Sequence, residues 1–227
     1  VLELFLLKGY QPQDGGPIYA ETLLWHSGDL IEPWNAISSL TFLLPVFFWL
    51  YKLRGNYKKY AFLIACMPFL AIGGIGSTLY HAFRISNWLL FMDFVPIALL
   101  NLLVGAYIWY KLVGNWFKAI IIIVLFQTIR FSVQSFVTDT QTAINFSYFL
   151  NGVMMFLPIL IILIKTKFEK FYLLLLTVTL FGLALFFRYY DDHALHVTPA
   201  GTHWLWHIAC AAGVMPLSYY LFYLRDE

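Results

Sequence analysis

Two histidines four residues apart, His203 and His207 in HWLWH, open the last apolar stretch of the chain. At that spacing both imidazoles lie on one face of a helix, one turn apart, where they can share a metal ion. A second pair, Ser77 and His81 in S-x-x-x-H, closes an earlier apolar stretch, and Asp93 follows twelve residues after His81. Three imidazoles suit zinc, bound through nitrogen at about 2.0–2.1 Å with a fourth position open to water. An open site of this kind lowers the pKa of the metal's water to about 7 and polarises a carbonyl. Ser77, one turn before His81 on the same face, is placed to hydrogen-bond an oxyanion. Asp93 is suited to accept a proton or to orient a ligating histidine.

Each residue also has a blander reading. A single histidine in an apolar helix is commonly an interhelical hydrogen-bonder. An aspartate at a helix start is favoured by the helix dipole. Even so, a carboxylate among FMDFVP is costly in lipid without a partner.

The elements that must position these residues are membrane helices. Of the 227 residues, 61% are hydrophobic, 20% aromatic and only 11% charged, and the mean hydropathy is +0.75. A soluble domain carries about 25% charged residues, so this balance excludes one. The net charge of +2 and the lack of a basic, aromatic-interleaved stripe exclude a nucleic-acid partner. Cys66 and Cys210 both lie in apolar runs without a CxxC partner and read as small apolar residues. The opening VLELFLL is too short, and too poor in basic residues, for a signal peptide.

Apolar runs of about 20 residues predict transmembrane helices. Seven are expected, at 36–53, 61–83, 88–110, 116–136, 143–164, 171–188 and 203–224, forming one seven-helix domain behind an N-terminal cap at 1–35. Lys52, Arg54, Lys58, Lys59, Lys111, Lys118, Lys165, Lys167 and Lys170 cluster on one side of that arrangement. The positive-inside rule then sets the N-terminus outside and the C-terminus in the cytoplasm. Arg84, Arg130 and Arg188 fall on the other side and read as site or structural arginines. With these spans, Ser77 and His81 end the second, Asp93 begins the third, and His203 and His207 open the seventh. All five reach the outer end of the membrane, a convergence that strengthens the metal reading well beyond any single pair.

Other polar residues carry weaker signals. Gln127, Arg130 and Gln134 recur at helical spacing, and Arg188 closes the sixth span; they either line a polar cavity or pack helices together. The Gly73-Gly74-x-Gly76 run is no phosphate loop, since no strand precedes it; it lets helices approach closely beside Ser77. Asp191, Asp192, His193 and His196 in DDHALH offer alternative metal ligands, though a solvated polar loop is the simpler reading.

The stretches EPWNAISSL at 32–40, GIGSTLYHA at 74–82, MDFVP at 92–96 and HWLWHIACAAG at 203–213 resemble the alkaline ceramidase family. That family belongs to the CREST superfamily of seven-helix membrane hydrolases. The resemblance implies a zinc-dependent amidase that cleaves ceramide-like sphingolipids to a sphingoid base and a fatty acid. It implies His81, His203 and His207 as zinc ligands, with Ser77 and Asp93 as the polar pair beside the metal. Eukaryotic members also bind calcium through an acidic, Trp-containing segment before the first span. Glu32, Trp34 and Asn35 match the end of that segment. The part upstream, ETLLWHSGD, is shorter and diverges, which weighs against calcium held by Glu21, Trp25 or Asp29. Other superfamily branches suggest an ester or phospholipid hydrolase, or a heptahelical receptor with a structural zinc. The lack of a soluble tail or sorting signal favours a bacterial inner membrane over the ER or Golgi.

Overall fold

A computed structural model describes residues 12–24, 30–138, 140–196, 198 and 200–224. Among them the chain is helical, without strands. The helices are α1 (Ala20–Leu24), α2 (Pro33–Ser39), α3 (Leu43–Lys52), α4 (Ala61–Phe83), α5 (Asn87–Val113), α6 (Trp116–Phe136), α7 (Thr140–Lys165), α8 (Phe171–Tyr190) and α9 (His203–Leu224). A 3-10 turn at Leu40–Phe42 joins α2 to α3, so the two cross as one apolar rod, Pro33–Lys52. Pro33 in its first turn starts that rod three residues before the expected position 36, as a proline there gives up no helical hydrogen bond.

Among the described residues, six helices are long and apolar enough to cross a membrane: Pro33–Lys52, Ala61–Phe83, Asn87–Val113, Trp116–Phe136, Phe171–Ala194 and His203–Leu224. This is the character of an integral multi-pass membrane protein. The remaining expected span, 143–164, lies within α7, whose described apolar portion is the shorter Phe149–Lys165.

The chain divides into two compact units, residues 1–98 with 172–227, and residues 99–171. In the first, Trp49 is fully buried and its indole N–H donates to Ser218 Oγ at 2.7 Å, tying α3 to α9. Tyr60 stacks on Phe222 at a centroid distance of 4.8 Å beside it. In the second, Trp109 donates to the Met154 carbonyl at 3.0 Å and Gln134 to Ser147 at 2.9 Å. Polar side chains thus pair across neighbouring helices, as an apolar surround requires.

The glycine run on α4 packs on two sides. A side chain at Gly74 would press on Phe42 and Ser39 of the first rod, and one at Gly73 on Ile97. One at Gly76 would collide with the Met92 backbone carbonyl. Only glycine lets α4 and α5 meet this closely next to Ser77.

Candidate metal centre

Each functional side chain is set by a nearby backbone device. His203 is the first residue of α9, and its own N–H and that of Thr202 donate to Asp191 Oδ1 at 2.8 and 2.7 Å. Asp191 therefore caps α9, satisfying amides that a helix start leaves without partners. Its other oxygen accepts the Ala20 amide at 2.9 Å, fastening α1 to the same point. Gly201, at φ +64, leaves room for this, since a side chain there would strike Ala20 and Asp191. Asp191 is buried, whereas Asp192 and His193 are exposed on a 3-10 helix spanning Asp191–His196. The expected solvated loop is thus in part a buried cap. The side chain of His196 lies outside the described residues.

His81, His203 and His207 converge, each almost fully buried, with one ligand atom from each within 4.8 Å of the others. A tetrahedral ion with bonds of about 2.0–2.1 Å needs nitrogens about 3.3 Å apart, so small side-chain shifts suffice. The ring centroids lie 4.7–5.4 Å apart.

The hydrogen bonds leave nitrogens turned inward. His81 Nδ1 bonds Glu32 Oε2, and its buried Nε2 has no partner. An ionised carboxylate only accepts, so Nδ1 carries the proton and Nε2 keeps a lone pair. His207 Nδ1 lies 2.9 Å from Ser38 Oγ and 3.2 Å from Ser39 Oγ. Both hydroxyls already donate to the Asn35 carbonyl, at 3.0 and 2.8 Å, so they accept from Nδ1 and free the Nε2 of His207. His203 Nδ1 is likewise buried without a partner, and its ring stacks on Tyr19 at 3.9 Å. Orphaned imidazole nitrogens at a buried site fit a metal of the zinc type.

Ser77 is buried, and its Oγ lies 2.9 Å from Ser39 Oγ. Asp93, partly buried on α5, has Ser77 as a hydrogen-bonding neighbour and feels the positive charge of Arg188. Arg188 itself stacks on Trp206 at 5.3 Å, one residue before His207. His81, His203 and His207 therefore converge, with Ser77 joined to them through Ser39 and Asp93 beside Ser77. Arg130 and Gln127 bond one another at 3.2 Å, and Gln127 also reaches Met154 Sδ at 3.8 Å. Both contacts lie within the second unit, where Arg130 Nε is buried without a hydrogen-bond partner.

The cap forms a further layer. The backbone of Ile31 and Glu32 runs along the end of α4, donating to the carbonyls of Ala82 and His81 at 2.9 and 3.1 Å. This register aims Glu32 at His81. Burial pushes the Glu32 carboxyl up, but the His81 bond and charge, then Arg84 and Thr22, leave it below the usual carboxylate range. Glu21 accepts the amides of Trp34 and Asn35 at 2.7 and 2.9 Å, capping α2 from a distance. Burial raises Glu21 to about 7 against those two bonds.

These carboxylates do not fit calcium, which takes six to eight oxygens. Glu32 Oε1 is engaged by Thr22 and Arg84, and Oε2 by His81 and by Asn35 Nδ2 at 3.3 Å. Glu21 faces backbone donors on both oxygens. Trp25 and Asp29 lie outside the described residues. Spacing alone gave no sign of Asp14, Tyr19, Ser38 or Ser39, whose partners are distant in the chain. No family model matches the chain, and no curated protein matches it.

Proposed function

We propose that the protein is a zinc-dependent intramembrane hydrolase that cleaves the amide bond of ceramide-like sphingolipids. The observation that carries this is the cluster of three buried imidazoles, two of them with an unpartnered nitrogen, beside Ser77 and Asp93. The motif resemblance supplies the substrate class. His81, His203 and His207 would hold the ion, which would supply an acidified water and polarise a carbonyl. Ser77 turns its hydroxyl from Ser39 to hydrogen-bond the oxyanion as water adds to the carbonyl carbon, keeping its proton. Asp93 takes the proton that water loses and delivers it to the amine nitrogen as the C–N bond breaks, so fatty acid and sphingoid base leave in balance. Ser39 holds Ser77 in place, and Arg188 keeps a positive charge near Asp93. The lipid tail meets an exterior rich in exposed Phe, Leu and Ile, consistent with entry from the bilayer.

The test is a ceramide hydrolysis assay on purified protein, read by fatty-acid release, with zinc measured on the same samples. Wild type is expected to hold about one zinc and release product; His81→Ala and Asp93→Asn should fall to background. His81→Ala should also lose the metal, while Asp93→Asn keeps it. Bound zinc without cleavage of any lipid amide would overturn the reading.

A further inference from the structure

We propose that Arg84, clamped by Asp14, is a built-in cation that aims Glu32 at His81 and makes the metal centre independent of calcium. This rests on reading the three histidines as a metal centre. Arg84 is fully buried. Its Nε and Nη2 fork onto Asp14 at 2.7 and 3.1 Å, and Nη1 bonds Glu32. Nη2 also donates to the Pro17 carbonyl at 2.9 Å, and the guanidinium lies 4.7 Å over the Tyr80 ring. One side chain thus gathers Asp14, Pro17 and Glu32 from the cap onto the end of α4.

The backbone adds a separate argument. Arg84 caps α4 at φ 51, a left-handed conformation that helices ordinarily give to glycine. An arginine there is retained for its side chain. A planar fork can hold two carboxylates at fixed angles, which an ammonium cannot. Glu32, fixed from one side by Arg84, presents its other oxygen to Nδ1 of His81. Carboxylates in that position orient a ligating imidazole and raise its basicity. A second cation beside the guanidinium would meet like charge.

The experiment measures zinc affinity by competition with a chromophoric chelator in the full-length protein, with added calcium chloride or in calcium-depleted buffer free of other chelators. Wild type, Arg84→Gln, Arg84→Lys and Asp14→Asn are compared, and thermal melts are run alongside. Wild type should show the same zinc affinity and melting temperature in both buffers. Arg84→Gln should weaken zinc binding by about 10- to 100-fold. Arg84→Lys should recover only part of that loss, and Asp14→Asn should show an intermediate one. Calcium-dependent zinc affinity or melting in wild type overturns the proposal, as does wild-type zinc affinity in Arg84→Gln. Should Arg84→Gln fail to fold, unchanged zinc affinity in Asp14→Asn overturns it instead. Zinc bound as expected without amide cleavage removes the hydrolase reading and leaves this one standing; a wild type that binds no zinc overturns both.

Discussion

Ser39 joins two functions through one hydroxyl. It touches Ser77 at 2.9 Å and His207 Nδ1 at 3.2 Å while donating to the Asn35 carbonyl. Ser38 remains at 2.9 Å from the same imidazole, so Ser39→Ala should spare the metal and hurt Ser77. The expected result is a fall in turnover of up to about tenfold with nearly unchanged zinc affinity, since a single such bond is worth about 0.5–1.5 kcal/mol. Steady-state kinetics with a zinc titration check it; equal losses of both would place Ser39 on the metal side alone. His81, His203, His207, Ser77 and Asp93 were legible because helical spacing and hydropathy speak directly about membrane helices. Ser38 and Ser39 were not, because their partner lies 169 and 168 residues away and serines in an apolar run have many uses. Asp14 meets Arg84 across 70 residues and left no periodic trace either.

Two elements owe their positions to small or acidic residues and not to apolar contact. The closeness of α4 and α5 depends on Gly76, where any Cβ would strike the Met92 carbonyl one residue before Asp93. Gly76→Ala should destabilise the protein by about 1–3 kcal/mol through overpacking. Turnover should suffer more than zinc content, because Asp93 moves with α5 while the histidines sit on α4 and α9. Thermal melts with kinetics decide this, and Gly152→Ala, where a Cβ meets nothing within 4 Å, is the control. A melt and a turnover equal to that control would remove the close-approach argument. The glycine run was readable as a packing device. The cap from Asp191 was hidden, since an acid in DDHALH looks like surface until its three amide partners are in place.

For the whole chain, composition alone established a helical membrane protein, and the helix boundaries follow the hydropathy closely. The fifth expected span lies within α7, which runs 26 residues, about 39 Å at 1.5 Å per residue. Counted as a span, it leaves the lysine-rich connections on one side. A C-terminal fluorescent fusion should then light up in the cytoplasm, while a phosphatase fusion at the same point stays silent; the reverse pattern would invert the orientation. The bond from Ala20 to Asp191 joins residues 171 positions apart, and that carboxylate also starts the helix bearing two of the three imidazoles. During synthesis the cap and α4 emerge long before this partner, holding one histidine and no completed pocket. An ion held by all three histidines could therefore be captured only after the final helix has reached its place.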